Sequence, residues 1–174
     1  MRITVRKALP EDAVYLPDVE RSAGQTFLAI PDLAWIADDT VMTAEQHLVL
    51  IAEGTVWVVE EESGKILGFL SAERIGRELH IWELSVVHER QGEGLGKQLV
   101  RVALNYGRQH EFSAATLTTF RNVGWNDSFY AALGFSVIDS DHLTARLKDV
   151  LEDERQAGIP VERRCAMIFL LAPV

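Results

Sequence analysis

The stretch Gln91-Gly92-Glu93-Gly94-Leu95-Gly96 decides the fold of this chain. It follows an apolar run at residues 81–87, and a helical pattern of apolar residues begins at Leu95. This order predicts a strand, a glycine-rich loop and the N-terminus of a helix. Such a loop presents a row of backbone N–H groups to an anion, and the helix dipole adds partial positive charge. The sequence therefore predicts a site for a phosphate-bearing ligand.

Spacing excludes two familiar nucleotide-binding loops. The mononucleotide P-loop needs a glycine five residues before its Gly-Lys pair and a Ser or Thr after it. Here those two positions hold Gln91 and Gln98. The dinucleotide fingerprint Gly-x-Gly-x-x-Gly fails as well, because Lys97 stands where the third glycine belongs.

A third spacing does fit. Gln91, Gly94 and Gly96 match the pattern Gln/Arg-x-x-Gly-x-Gly/Ala. This pattern resembles the pyrophosphate loop of the GNAT superfamily, the acetyl-CoA-dependent N-acetyltransferases. The resemblance implies acetyl-CoA as co-substrate, with no metal.

A second motif extends the resemblance downstream. In GNAT proteins a strand leads to an Asn, then to a helix bearing a Tyr, and then to Gly-Phe. Asn126, Tyr130 and Gly134-Phe135 follow in that order. Asn126 precedes Tyr130 by only four residues, which is closer than the family's usual two helical turns, so Asn122 is an alternative for the pantetheine contact. Asn126 could instead cap the helix.

Periodicity across the chain predicts one α/β domain spanning residues 1–174, with the motif-bearing core at about 3–138 and a C-terminal helix and strand at 139–174. The element order predicts a mixed α/β sheet. The resemblance implies a mostly antiparallel central sheet flanked by helices, of the acyl-CoA N-acyltransferase type, with a splayed central strand. The predicted strands are at residues 3–7, 55–60, 66–71, 77–87, 115–119, 135–138 and 164–171. The predicted helices are at residues 10–23, from 43 onward, 94–108, 125–133 and 143–151. Thr43-Ala44-Glu45-Gln46 fits a capping box at the start of the second helix, and residues 62–65 predict a hairpin between the second and third strands.

The resemblance assigns the donor side of the site residue by residue. The strand 84–86 is expected to pair with the pantetheine arm through its backbone, and an N–H near Val86 is expected to polarise the thioester carbonyl. The cofactor-binding residues predicted in this way are Leu84, Ser85, Val86, Gln91, Gly92, Gly94, Leu95, Gly96, Lys97 and Asn126.

Catalysis of amine acetylation needs an acid and a base. By resemblance Tyr130 is the general acid that protonates the departing thiolate. The amine must lose a proton before it attacks, and the central strand offers two candidate bases, His80 and Glu83. His80 has an ordinary pKa near ~6.5 that suits this role, whereas Glu83 interrupts an apolar run and so needs a partner or a function.

The acceptor side is less determined by sequence. Residues 24–40 form a predicted loop in which Phe27 and Trp35 could line a pocket, with Asp32 or Asp38 meeting a cation. The formal net charge of −9 argues against a nucleic-acid partner and suits a cationic amine. We expect a small primary amine as acceptor. A protein N-terminus or lysine is the alternative, and a non-catalytic CoA-binding or sensing module is the alternative of another class.

Composition limits where the chain works and what chemistry it uses. No apolar stretch reaches the roughly 18 residues that span a membrane, and the first residues lack a long apolar signal region. A single cysteine, Cys165, allows no internal disulfide and suggests no acyl-cysteine step. The five His are scattered, without metal-ligand spacing. We therefore expect a cytoplasmic protein without a membrane partner, and a homodimer is left open.

Overall fold

The computed structural model describes residues 2–171. The strands are β1 (Ile3–Lys7), β2 (Val56–Glu61), β3 (Ile66–Ile75), β4 (Glu78–Val86), β5 (Ala114–Phe120), β6 (Ser136–Val137) and β7 (Arg164–Leu170). The α-helices are α1 (Leu16–Gly24), α2 (Ala44–Glu53), α3 (Leu95–Gln109), α4 (Asp127–Ala132) and α5 (Ala145–Gln156). Short 3-10 helices at Pro10–Tyr15, Gln25–Ala29, Ala34–Asp38, His88–Arg90, Ser140–His142 and Val161–Arg163 join them.

The strands form a mixed sheet in the order β1-β2-β3-β4-β5-β7-β6. Four neighbouring pairs, β1 with β2, β2 with β3, β5 with β7 and β6 with β7, are antiparallel, and β4 with β5 is parallel. The parallel pair needs a long crossover, which α3 supplies along the chain. The predicted fold class, an α/β fold with a mostly antiparallel sheet, is confirmed.

The described residues divide into two compact units. The first comprises 2–73 and Trp82–Tyr106, and the second comprises Arg74–Ile81 and 107–171. The prediction of one N-acetyltransferase domain stays a prediction, and its outermost residues, 1 and 172–174, lie outside the described part of the chain.

The apolar core of the first unit follows from its β-rich runs and amphipathic helices. Residues Val56 to Val59 of β2 are each at most 2% exposed, as expected for a strand that is covered on both faces. Helix α3 buries Leu95, Leu99 and Ala103, which recur at a spacing of four residues. Burial of this apolar face holds α3 against the core, directly after the glycine loop.

Several local signals are confirmed in the first unit. Thr43 and Gln46 form the predicted capping box of α2, because Thr43 Oγ1 accepts from Gln46 N at 3.2 Å and Gln46 Oε1 accepts from Thr43 N at 2.8 Å. Strands β2 and β3 form the predicted hairpin, with Val56 opposite Ser71.

The first predicted helix, residues 10–23, differs in the structure. A 3-10 helix at Pro10–Tyr15 precedes α1, and Leu16 N bonds to Ala13 O with 3-10 spacing. The reason is Pro17, which has no N–H and is tolerated only in the first turn of an α-helix. The α-helix therefore begins at Leu16 rather than at Pro10.

A bulge between β2 and β3 lies close to the second half of β4. The register between β2 and β3 shifts between Val59 and Glu60, so that one extra residue of β3 is accommodated. Next to this bulge, a Cβ on Gly68 would lie 2.8 Å from Ser85 O. Only glycine allows β3 to approach Ser85 this closely.

In the second unit, the parallel register joins Glu78–Ile81 of β4 to 114–117 of β5. Strand β4 itself continues to Val86, so the predicted splay would begin beyond this register. Helix α5 extends to Gln156, five residues past its predicted end. Within residues 2–171, no helix combines the length and apolar character that crossing a bilayer would require.

A partly buried ion network in the first unit generates a stability prediction. Arg6 donates to Asp12 Oδ2 at 2.7 Å and to Glu60 Oε2 at 2.9 Å, and the Asp12 side chain is 7% exposed. Burial alone would raise the pKa of Asp12, but hydrogen bonds from Arg6 and from Leu9 N–H hold this pKa below its usual value.

We expect Arg6→Met to lower the free energy of unfolding by about 2 kcal/mol, because it leaves the Asp12 carboxylate buried without its cation. The melting temperature should fall by about 5 °C. The pKa of Asp12 is depressed in the folded state. The extra stability of the wild type is therefore present above the ordinary aspartate pKa, and it is lost as pH falls through the pKa of Asp12 in the folded protein. Thermal unfolding at several pH values measures this, and Arg21→Ala, which breaks the exposed pair with Asp18, should change little. An Arg6→Met protein as stable as wild type at neutral pH would contradict the prediction.

Candidate functional site

The glycine loop has the backbone geometry of an anion site. Strand β4 ends at Val86, the 3-10 helix His88–Arg90 follows, and α3 begins at Leu95. Gly92 and Gly94 both have φ of +82°, and a Cβ on either would meet open space, so backbone conformation rather than crowding requires glycine. The first N–H groups of α3 have no acceptor within the helix. Residues 92–96 can therefore present backbone donors to phosphate oxygens.

The side chain of Gln91 faces the protein. Its Nε2 donates to Val86 O at 3.0 Å and to Ala23 O at 3.4 Å, and its Oε1 accepts from Thr26 Oγ1 at 2.6 Å. Both ends of the amide are thus used internally. Gln91 supports the loop with its side chain instead of offering that side chain to a ligand.

Cations near the loop differ in availability. Arg90 forms an ion pair with Glu93 at 2.9 Å and lies 3.5 Å from Glu61, so its charge is compensated. Lys97 lies exposed in the first turn of α3. Of the two, Lys97 is the cation better able to meet an anionic ligand.

The second half of β4 carries the predicted pantetheine-binding residues. Leu84 and Val86 are half-buried and Ser85 is buried. Ser85 Oγ donates to Glu83 Oε1 at 2.8 Å, which holds the Glu83 carboxylate beside the strand. The side chain of Glu83 is therefore oriented by its neighbour two residues later.

A second carboxyl group, Glu20, lies close enough to Glu83 to affect its ionisation. Burial raises the pKa of Glu20 to about 8, with the charge of Glu83 as the next cause. Glu20 Oε1 accepts from Met42 N at 3.3 Å. The raised pKa favours the protonated form of Glu20 at neutral pH.

Sequence reasoning did not find Glu20, although a signal was present. Glu20 follows the fully buried Leu16 by one helical turn, so it occupies the apolar face of α1. An acidic residue on the buried face of a short helix needs a partner or a function.

His80, the other candidate base, lies in a buried polar cluster of the second unit. It is 1% exposed, and burial followed by the nearby Arg146 charge lowers its pKa to about 3. Arg146 donates to His80 Nδ1 at 3.1 Å and to Thr116 Oγ1 at 3.0 Å, and it pairs with Glu78. Because a guanidinium can only donate, Nδ1 must be the acceptor, so the imidazole is neutral with its proton on Nε2. This chemistry makes His80 a weak base at neutral pH.

The segment before α4 distinguishes two interpretations of Asn126. Asn126 occupies the N-cap position, but its side chain makes no capping hydrogen bond. Instead Asp127 accepts from Ser128 N at 3.0 Å and from Asn122 N at 3.2 Å. The Nδ2 atom of Asn126 is buried and has no hydrogen-bond partner among the described residues. A buried unpaired donor is costly, which favours a ligand contact over a capping role.

Tyr130 lies on α4 within an aromatic cluster of the second unit. It is 8% exposed and packs edge-on against Phe129 at 5.0 Å and against Phe135 at 5.6 Å between ring centroids. Phe135 in turn lies 5.4 Å from Phe169. The aromatic contacts fix the ring orientation of Tyr130, as a positioned acid would require.

Phe27 and Trp35 lie on the two 3-10 helices of the first unit that replace the predicted loop. Phe27 is half-buried, and Trp35 is 39% exposed. Leu33, between them, is fully buried and anchors the segment. The apolar surface of the segment is therefore partly available to a ligand.

Cys165 is buried and its pKa is raised, first of all by burial, so it is not a reactive thiolate. Among residues 2–171, the structure shows no group of His, Cys, Asp and Glu that could hold a metal ion.

Comparison with known families identifies the class of protein. The acetyltransferase (GNAT) domain family matches residues 52–137. Residues 52–137 of this chain belong to the GNAT superfamily. The matched GNAT segment contains the glycine loop, Asn126 and Tyr130, and it leaves out Glu20, the segment with Phe27 and Trp35, and helix α5.

Curated relatives resemble part of the chain. N-acetyltransferase family 8 member 2 of Rattus norvegicus is 32% identical over 92 residues, which are 49% of this chain and 40% of the relative. N-acetyltransferase 8B of Homo sapiens is 31% identical over 102 residues, 54% of this chain and 44% of the relative. The chain thus spans less than half the length of these relatives.

Solved structures share the GNAT fold over nearly the whole chain. The PaiA N-acetyltransferase from Thermoplasma acidophilum, in complex with coenzyme A, gives a TM-score of 0.71 at 21% identity and covers 98% of this chain and 99% of its own. The putative acetyltransferase YncA from Salmonella typhimurium, with its cofactor acetyl-CoA, gives a TM-score of 0.70 at 19% identity. The match covers 100% of this chain and 96% of that protein's chain. At such identities the likeness concerns the fold.

The buried cluster around His80 generates a prediction for titration. We expect the His80 imidazole to stay neutral down to about pH 4, because its pKa is about 3. Arg146→Met should raise this pKa only in part, since burial is the larger cause and the arginine charge the smaller one. NMR of the ring nitrogens and carbons against pH measures both values. Titration of His80 near its ordinary value of ~6.5 in the folded protein would contradict the prediction.

Proposed function

We propose that this GNAT protein is an N-acetyltransferase that transfers the acetyl group of acetyl-CoA directly to a primary amine. The observation that carries the proposal is the pair Gly92 and Gly94, both in the left-handed region, directly before the start of α3 within the matched segment. This geometry suits a pyrophosphate, and the family that matches residues 52–137 supplies the chemical class.

The residues of the chain fit acetyl-CoA as the donor. Backbone donors of residues 92–96 would hold the pyrophosphate, and exposed Lys97 would add positive charge. The unpaired Nδ2 of Asn126 would donate to an amide oxygen of the pantetheine arm. Backbone groups of Leu84, Ser85 and Val86 would pair with the arm in a strand-like mode.

Each reacting group has a proposed residue. Acetyl-CoA supplies the thioester carbonyl, and Val86 N–H would stabilise negative charge on the carbonyl oxygen. Glu83, oriented by Ser85, would take a proton from the ammonium so that the neutral amine can attack, since burial and Arg146 weaken His80 as a base. Tyr130 would donate its hydroxyl proton to the departing thiolate, and its phenolate would take the second proton, which the nitrogen loses as the amide forms.

We propose a small primary amine as the acceptor, bound at residues 25–39, which we call the acceptor segment. The apolar side chains of Phe27 and Trp35 would cover the carbon skeleton of such an amine. The Glu83 carboxylate with neutral Glu20 would meet one positive charge, which suits a monocation. The net charge of −9 favours a cationic acceptor over a polyanion. A cytoplasmic location stays a prediction, and a homodimer stays open.

Calorimetry with CoA and a thiol-release assay over a panel of amines and peptides test the proposal. We expect CoA binding and amine-dependent release of CoA thiol. Tyr130→Phe should lower turnover at least tenfold and leave CoA affinity nearly intact, because the substitution removes the hydroxyl proton and keeps the ring. Unchanged turnover would remove Tyr130 from the mechanism.

The assay also separates the alternatives. Binding of CoA without thiol release over the whole panel would favour a CoA-binding module, and absence of CoA binding would overturn the proposal. Release with peptides but not with small amines would favour a protein N-terminus or lysine as acceptor.

The assignment of the base yields its own prediction. Glu83→Gln should lower kcat at neutral pH by roughly 10²–10⁴-fold. Turnover of this variant should rise with pH, because the amine then loses its proton to solvent. His80→Gln is the comparison variant and should retain more activity than Glu83→Gln. Loss of activity in His80→Gln with full activity in Glu83→Gln would assign the base to His80.

A further inference from the structure

Four hydrogen bonds connect the end of α1 and the start of the acceptor segment to His88 and Gln91. We call residues 88–96, which include the glycine loop, the donor loop, because the acetyl donor is proposed to bind there. Ser22 Oγ accepts from His88 N at 2.9 Å, and Ala23 O accepts from Gln91 Nε2 at 3.4 Å. Thr26 Oγ1 donates to Gln91 Oε1 at 2.6 Å and lies 3.3 Å from His88 Nδ1. Within the first unit, segments more than 60 residues apart in sequence are thus joined through polar side chains.

Chemistry fixes which atoms donate and which accept these hydrogen bonds. Gln91 Nε2 faces two carbonyl oxygens, Val86 O and Ala23 O, so the amide orientation is determined and Oε1 must face Thr26. The Thr26 hydroxyl therefore donates its proton to Gln91 Oε1. Toward His88 the same hydroxyl can only accept, so His88 Nδ1 is the donor there.

Hydrogen-bonded turns run along the acceptor segment from the 3-10 helix that contains Thr26. A continuous series of turns follows Thr26, since Ile30 N bonds to Phe27 O at 3.0 Å, Leu33 N to Ile30 O at 3.0 Å and Ile36 N to Leu33 O at 3.0 Å. The series includes both Phe27 and Trp35. Movement at the first turn would therefore shift the residues proposed to contact the acceptor.

We propose that Thr26 is a positioning residue which, through Gln91, couples occupancy of the donor loop to the order of the acceptor segment. The inference rests on the proposed function, because it takes CoA as the ligand of the loop. A pyrophosphate held by residues 92–96 fixes the loop that begins at Gln91. Gln91 then holds Thr26 in place, and the acceptor segment opens less often. The acceptor accordingly binds better to the CoA-loaded protein.

Hydrogen exchange with and without saturating CoA tests the coupling without any acceptor. We expect CoA to slow amide exchange in residues 25–39 at least about fivefold in the wild type. Thr26→Val, which keeps the shape and removes the hydroxyl, should abolish this slowing. Because coupling is reciprocal, CoA affinity should fall by no more than the same factor of about five. Thr26→Ser restores the hydroxyl and should restore the slowing.

A second variant and a kinetic readout keep the test independent of folding defects. Ser22→Ala removes a neighbouring contact and should weaken the slowing in part. With an acceptor from the amine panel, Thr26→Val should raise the acceptor KM at least about fivefold and leave kcat within about twofold.

Two outcomes would overturn the inference while the proposed function stands: CoA binds without slowing exchange in the wild type, or Thr26→Val keeps the full slowing. Failure of the wild type to bind CoA would overturn the proposed function and this inference with it.

Discussion

Backbone N–H groups that remain available at the start of α3 are the constraint on which the donor side of this protein depends. They are available only if the chain between β4 and α3 turns without using them, and the positive φ angles of Gly92 and Gly94 allow this turn. The turn must also be held in place without side chains that compete for the anion. Gln91 meets this need because its amide bonds inward to Val86 and Thr26.

The two candidate bases on β4 differ in their surroundings. His80 and Glu83 are three residues apart, and the sequence alone leaves the choice of base open. Arg146 reaches His80 from α5, 66 residues away in sequence, and helps to lower its pKa to about 3. Glu83 instead has Ser85 as a hydrogen-bond donor and a largely neutral Glu20 nearby. Contacts distant in sequence thus decide which of the two side chains suits proton transfer.

Local signals made most of the fold predictable. The capping box at Thr43, the hairpin before Ile66 and the glycine loop each depend on a few adjacent residues, and the structure contains all three. The donor-side residues are predicted in the same way, by spacing within short motifs, and their role stays a prediction. The break of the first helix was missed, because the effect of Pro17 depends on whether it falls in the first turn or in the interior. Glu20 was missed because its pKa depends on burial and on Glu83.

Residues on the CoA side of the proposed site are easier to predict from sequence than residues on the acceptor side. CoA is the same molecule in every acetyl-CoA-dependent enzyme, so one backbone geometry serves it, and a short motif encodes that geometry. An acceptor differs from enzyme to enzyme, and its proposed contacts come from α1 and the 3-10 helices at Gln25–Ala29 and Ala34–Asp38, outside the matched segment 52–137. Side-chain bonds such as Thr26 to Gln91 connect this variable part to the constant one. With the acceptor bound as proposed, specificity would change in the acceptor segment while the donor loop keeps its geometry.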